Sequence, residues 1–248
     1  MRSLKLKVQY NGGQYAGWQV QPNLATVQGE LEKAWTKITG ESLRLVASGR
    51  TDSGVHALGQ VVSLSTATDK DDETLCRALN AHLPDDIAVL ELVPVPAGFH
   101  AIRDSRSKRY RYWIQNGGVM DVFWRGFAWH LREPISIAPM REAAQRLVGK
   151  HDFVSFQAAR SDRKTTVRTV FDLPIEEVNR DGVPLIRLEI SADGFLYNMV
   201  RNIVGSLVAV GNGDQPDAWI DDVIAAKDRR AAGVTAPAHG LFLVSVEY

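Results

Sequence analysis

The order in which the hydrophobic period changes along this chain restricts its fold more than any other feature. Leu4, Leu6, Val8 and Tyr10 alternate with polar residues, which predicts a strand, and Asn11-Gly12-Gly13 ends it. The period then lengthens to that of a helix capped by Thr26, with Val27, Leu31, Ala34, Trp35 and Ile38 on its apolar face and Gly40 beyond its end. Leu43 to Ala47 and Val61 to Leu64 read as two further strands separated by a long polar loop. A second helix runs from Glu73 to His82 on Leu75, Leu79 and Leu83, and Ile87 to Leu92 forms a fourth strand. This βαββαβ order is the ferredoxin-like split unit.

The second half repeats the order. Lys108 to Gln115 is a strand, and Pro139 opens a helix with Met140, Ala143, Ala144, Leu147 and Val148 inward and Gly149 past its end. Val167 to Val178 and Leu185 to Ile190 form a hairpin around Asp181-Gly182. A strongly apolar helix follows from Phe195 to Val210, then a short one from Trp219 to Ala226, and Leu241 to Val246 closes the chain as a strand. The expected fold is α+β, with halves 1–104 and 105–248 joined into one mixed, mostly antiparallel sheet flanked by helices. The cleft between two such halves is a usual place for a site. The duplication rests on element order alone, because no residue-level repeat accompanies it.

A chain of 248 residues, 45% hydrophobic and 23% charged, can bury a full core. It has no run of eighteen apolar residues, and Met1-Arg2-Ser3-Leu4-Lys5 leads straight into the first strand. Neither a membrane span nor a signal peptide is expected, which implies a cytoplasmic protein. Cys76 is the only cysteine, the six histidines lack the spacing of a zinc site, and no Gly-rich phosphate loop occurs. Neither a metal nor a nucleotide cofactor is therefore expected. Lys plus Arg and Asp plus Glu both total 29, so the charge is balanced overall but segregated locally. Arg103 to Arg111 carries five cations against one acid, Arg160 to Arg168 carries four against one, and Asp69 to Glu73 and Asp214 to Asp222 are acidic. Segregation of this kind suits a local phosphate-binding surface, though solvated faces have the same composition.

Three features carry chemistry. The longest polar interruption between two strands is Ser48-Gly49-Arg50-Thr51-Asp52-Ser53-Gly54-Val55-His56, the kind of loop on which functional groups are displayed. Asp52 has a cation two residues before it, hydroxyls on both sides and a glycine that permits a tight path, surroundings that favour an ionised carboxylate. Asp-Ser-Gly is equally ordinary turn chemistry. Arg201 lies in a helix apolar on most sides, where an unpaired guanidinium is costly. It requires a carboxylate partner and marks either a structural ion pair or a site. Lys108-Arg109-Tyr110-Arg111-Tyr112-Trp113 alternates cations with aromatics, so one strand face carries Arg109 and Arg111 and the other Tyr110 and Tyr112. Rings beside a basic run suit base stacking next to a phosphate track, while a strand with its rings in the core has the same pattern. Cys76, with no adjacent histidine, reads as an inert thiol, and the histidines are individually uninformative.

Together these segments resemble the tRNA pseudouridine synthase A family. The matching pieces are Tyr10-Asn11-Gly12 with Gly17-Trp18-Gln19, the loop from Gly49 to Ala57, Asn80 with Leu83-Pro84, and Phe99-His100-Ala101. Arg109-Tyr110-Arg111-Tyr112, His151-Asp152-Phe153, Arg168-Thr169, Asn198-Met199-Val200-Arg201 and Ala236 to Leu241 follow in the family's order. Gly-Arg-Thr-Asp is the most specific. Asn11 departs from the Asp usual in the family, at a position that reads as a turn. The resemblance implies a cofactor-free isomerase that converts uridine to pseudouridine at positions 38, 39 and 40 of the tRNA anticodon stem-loop, acting as a homodimer. It further implies Asp52 as nucleophile, Tyr110 stacked on the target base, Arg201 paired with Asp52, Arg50 opening the stem or filling the displaced base's place, and Leu241 as an apolar wall opposite Tyr110.

Other classes account for less. A non-catalytic RNA-binding module fits ferredoxin-like units with sheet aromatics but gives Asp52 no purpose. A glycosidase requires a second conspicuous carboxylate. A uracil methyltransferase requires a reactive cysteine and a methyl-donor site.

Overall fold

The computed structural model describes residues 1–158 and 165–248. Arg160, Arg163 and Lys164 of the second basic segment lie outside the described residues. The chain divides into two compact units, Met1–Arg106 with Phe242–Tyr248, and Ser107–Leu241.

The first unit contains β1 (Arg2–Tyr10), α1 (Val27–Thr39), β2 (Val46–Ala47), β3 (His56–Thr66), α2 (Asp72–His82) and β4 (Ile87–Val95). β1 lies between β4 and β3 and is antiparallel to both. Its alternation is realised as Leu4, Leu6, Val8 and Tyr10 inside the core. Thr26 caps α1 by accepting the Gly29 amide at 3.3 Å, and Gly40, at φ 75°, ends it in the left-handed conformation. The helix buries Val27, Leu31, Ala34 and Trp35, and each large side chain removed from water contributes roughly 1.5–3 kcal/mol.

β4 runs on three residues past the expected Leu92, and two other boundaries differ for reasons the contacts show. The strand expected over Leu43 to Ala47 shrinks to two residues because α1 satisfies the Leu45 backbone itself: Glu32 accepts its amide at 2.9 Å and Gln28 donates to its carbonyl at 3.2 Å. Conversely β3 begins at His56 rather than Val61. Gly59 and Gln60 hide its start from a hydrophobicity pattern, and the glycine is required because a Cβ there would stand 2.6 Å from the Val244 carbonyl oxygen.

The second unit contains β5 (Ser107–Asn116), β6 (Trp129–Leu131), α3 (Ile137–Gln145), β7 (Gly149–Asp152), β8 (Val167–Asp172), β9 (Ile175–Arg180), β10 (Val183–Ala192), α4 (Met199–Gly211) and α5 (Trp219–Ala226). β10 pairs antiparallel with β5 on one side and with β8 and β9 on the other, and β7 extends the sheet beyond β8. Pro174, which has no amide to donate, divides into β8 and β9 the stretch expected as one strand. Asp181 and Gly182, at φ 52° and 86°, make the two-residue turn of the β9–β10 hairpin. α3 starts at Ile137, so Pro139 sits inside its first turn, where an amide has no helical acceptor. α4 starts four residues later than expected because Asn198 at φ 60° interrupts the helical path. The chain closes with β11 (Leu241–Glu247), whose Phe242 and Leu243 pair parallel with His56 and Ala57 of β3. The first unit's sheet therefore runs β4-β1-β3-β11, with β2 also on β3.

α4 is buried along nearly its whole length and is crossed at backbone distance by the segment after α5. A Cβ on Gly205 would lie 1.7 Å from the Val234 carbonyl oxygen, and one on Gly233 would lie 2.8 Å from the Gly205 carbonyl oxygen. Among the described residues no helix is long and apolar enough to cross a membrane. Gly205→Ala forces backbone against backbone, and the expected loss is about 3 kcal/mol or more in urea unfolding. A loss under about 1 kcal/mol would contradict this packing.

Candidate active site

The Ser48 to His56 loop is held by the end of β1, by the segment that follows it and by Gln60 of β3. Trp18 donates its amide to the Thr51 carbonyl at 3.0 Å, and the Thr51 hydroxyl lies 2.8 Å from the buried Tyr10 hydroxyl. The Ser53 hydroxyl donates to the Tyr15 carbonyl at 3.1 Å, and the Val55 amide turns back to the Asp52 carbonyl at 3.1 Å. At the near end Gln60, fully buried, accepts the Ser48 hydroxyl at 2.8 Å and donates to the Gly49 carbonyl at 2.8 Å. At the far end the Gly12 amide donates to His56 Nδ1 at 3.1 Å, and the His56 ring stacks on Phe242 at 4.6 Å. The acceptor role of Nδ1 assigns the ring proton to Nε2.

Two glycines make this possible. A Cβ on Gly12 would stand 2.0 Å from the Val55 carbonyl oxygen, and Gly17, at φ 96°, would set one 2.7 Å from that of Thr51. The loop thus presents Asp52 half-buried and Arg50 exposed on a backbone with little freedom.

Tyr110, Arg201 and Leu241 belong to the second unit. Tyr110 is buried in β5 and meets Phe195 edge-on at 5.0 Å between ring centroids. Tyr112, two residues on, donates its hydroxyl to the Pro237 carbonyl at 2.7 Å and packs so tightly on Gly240 that a Cβ there would meet its ring at 2.6 Å. Of the two rings that share a strand face, Tyr112 is therefore committed to holding the segment that ends at Leu241, itself buried. Arg201, in the first turn of α4, donates from Nε to the Ala236 carbonyl at 2.7 Å and from Nη1 to Asn198 Oδ1 at 3.1 Å. The Ala236 amide returns a bond to the Arg201 carbonyl at 3.1 Å. Tyr110, Arg201 and Leu241 thus sit on elements tied together through residues 236–240.

The basic strand behaves differently from a free phosphate track. Arg109 makes a bidentate pair with Asp172 at 2.8 and 2.9 Å, and Arg111 pairs with Glu189 at 2.6 Å. Hydrogen bonding to Asp172 holds the Arg109 guanidinium above its ordinary pKa. Arg103 and Arg106, by contrast, are exposed. The acidic clusters are likewise put to use. Asp71 caps α2 by accepting the Thr74 amide at 2.8 Å, and Asp217 and Asp221 both bind Arg146. Among the described residues no group of three or more His, Cys, Asp or Glu side chains could hold a metal ion.

The supports of the Asp52 loop escape a sequence reading. Gln60 and His56 carry no local signal, because their partners lie 11 to 44 residues away and are mostly backbone groups. The paired occurrence of Tyr10-Asn11-Gly12 and Gly17-Trp18-Gln19 was the available clue.

The first unit offers one half-buried carboxylate, Asp52, from a fixed backbone, and within the second unit a buried tyrosine and an oriented guanidinium are held through residues 236–240. The tRNA pseudouridine synthase family model matches residues 7–103 and 143–248. The chain is 46% identical to tRNA pseudouridine synthase A of Thermoanaerobacter sp. (strain X514) over 248 residues, covering 100% of both chains. It is 48% identical to the enzyme of that name from Moorella thermoacetica over 250 residues, again covering 100% of both. Against that of Halalkalibacterium halodurans it is 46% identical over 242 residues, covering 97% of this chain and 90% of the other. The chain belongs to the tRNA pseudouridine synthase family.

Burial pushes the Tyr10 hydroxyl up from 10.0 to about 12, with the hydrogen bonds to Thr51 and Gln60 only partly opposing it. A tyrosine whose folded pKa is raised stabilises the fold fully below its unfolded pKa, and that contribution is lost as pH rises through 10 toward 12. Urea midpoints should fall across this window, and fall less in Tyr10→Phe; parallel curves for the two proteins would show that the Tyr10 hydroxyl takes no part.

Proposed function

We propose that this protein converts uridine to pseudouridine in the anticodon stem-loop of tRNA, at positions 38, 39 and 40, with Asp52 as the attacking carboxylate. The observation that carries the reading is the Asp52 loop, held by Tyr10, Trp18 and Gln60 inside a chain that matches tRNA pseudouridine synthases from end to end. The reaction breaks the bond between N1 of the base and C1′ of the ribose, forms one between C5 and C1′, releases the C5 proton to solvent and leaves N1 carrying a proton taken up from solvent, so that the product is an isomer of the substrate. No electrons are exchanged with a second molecule and no group is donated. A base inside a helix is out of reach, so the nucleotide leaves the stack at a cost of a few kcal/mol, offset by stacking and phosphate contacts.

Asp52 then attacks the ribose, attacks the base, or assists loss of a ribose proton. Tyr110 stacks on the extruded base, and its hydroxyl, or a water it positions, takes the C5 proton. The family resemblance assigns Arg201, whose Nε and Nη1 are held by the Ala236 carbonyl and Asn198, as the partner of the attacking carboxylate. Leu241 supplies an apolar wall opposite Tyr110, and Arg50 enters the stem or takes the displaced base's place. The exposed Arg103 and Arg106 contact phosphates. The protein acts in the cytoplasm as a homodimer.

Asp52→Ala should abolish pseudouridine formation in a tRNA transcript while tRNA affinity stays within about twofold of wild type; product formed at the wild-type rate would refute the assignment. Arg103→Ala and Arg106→Ala should each weaken tRNA binding and reduce the slope of log K against log salt by about 0.7–0.9. An unchanged slope would remove both from the phosphate contacts.

A further inference from the structure

The Asp52 loop is anchored through a chain of buried polar groups that no step of the proposed chemistry uses. Gln60 spends its amide oxygen on the Ser48 hydroxyl and its amide nitrogen on the Gly49 carbonyl, with a longer approach of 3.5 Å to the Tyr10 hydroxyl. The Tyr10 hydroxyl lies 2.8 Å from Thr51 Oγ1 and shares a hydrogen bond with it. Burial raises the pKa of this hydroxyl, so it stays neutral near neutral pH. Thr51 is thus held twice, by side chain through Tyr10 and by carbonyl through the Trp18 amide. It is itself buried and directly precedes Asp52. The Tyr10 ring also packs against Trp18 at 6.1 Å, so the same tyrosine braces both anchors.

We propose that Tyr10, oriented by Gln60, is a positioning residue for Asp52, acting through the Thr51 hydroxyl to fix the loop before tRNA arrives. The inference rests on the assignment of Asp52 to the chemistry and deepens it. A backbone shift on the order of 1 Å at a reacting group can cost about 10²-fold in rate, so losing this hydroxyl should lower kcat with little effect on binding. Without the Tyr10 hydroxyl, Thr51 would keep one anchor of two, the bond from the Trp18 amide to its carbonyl.

The test compares Tyr10→Phe, Thr51→Val, Thr51→Ser and the Tyr10→Phe/Thr51→Val double variant, each checked as folded at the assay temperature. We expect kcat to fall 10- to 100-fold in Tyr10→Phe and in Thr51→Val, with KM for tRNA within twofold. The double variant should fall no further than either single one, and Thr51→Ser, which keeps the hydroxyl, should recover most of the rate. Amide hydrogen exchange at Val55 and Trp18 should speed up in Tyr10→Phe without tRNA present. An unchanged kcat in Tyr10→Phe, a loss confined to KM, or additive losses in the double variant would overturn the proposal. If Tyr10→Phe does not fold, the Thr51→Val and Thr51→Ser pair reads the same contact. Asp52→Asn is run alongside: turnover in that variant breaks the underlying assignment, whereas the exchange rates still report whether Tyr10 holds the loop.

Discussion

One buried hydrogen bond, between the hydroxyls of Tyr10 and Thr51, joins the end of the first strand to the loop that carries Asp52. Around it the backbone of residues 12–18 passes so close to the loop that only glycine fits at positions 12 and 17. Left unmade inside the core, such a contact would cost about 1–3 kcal/mol in desolvated polar groups, so its geometry constrains both partners. The second unit shows the same economy. Arg201 and the backbone of Ala236 exchange bonds in both directions, Tyr112 holds Pro237, and Gly205 admits the crossing chain. In each unit the residues proposed for chemistry are held by neighbours to which no chemical role is assigned, the kind of support that fixes a functional group before substrate binds.

Charge follows a related logic. Several members of the charged runs are paired inside the fold: Arg109 with Asp172, Arg111 with Glu189, and Asp217 and Asp221 with Arg146. Partly exposed pairs of this sort contribute about 0–1 kcal/mol each, so their use is to orient strands and helix ends more than to stabilise them. Within the Arg103 to Arg111 run, Arg103 and Arg106, ahead of β5, stay exposed.

Much of this was legible in the residues, and what was not shares one cause. α1, with its Thr26 cap, apolar face and terminal Gly40, and the Asp181-Gly182 hairpin could be read directly because every signal lies within a few positions. The placement of Arg109 and Arg111 on one strand face followed from a period of two, but their acids lie 63 and 78 residues downstream. β2 ended early because side chains of α1 took over the Leu45 backbone, and α4 began late because Asn198 adopts a left-handed conformation. The long polar loop identified Asp52 as displayed, yet nothing local could show that Gln60 and His56 secure it. Long-range hydrogen bonds leave no period in a sequence.

The most direct test of a carboxylate acting on an extruded uridine is tritium release from tRNA labelled at C5 of uridine, without added cofactor or metal. The account predicts release by the native protein in step with pseudouridine formed, and none by Asp52→Ala under conditions where that variant still binds the tRNA. Release by Asp52→Ala at the native rate, or pseudouridine formed by the native protein without release, would contradict it.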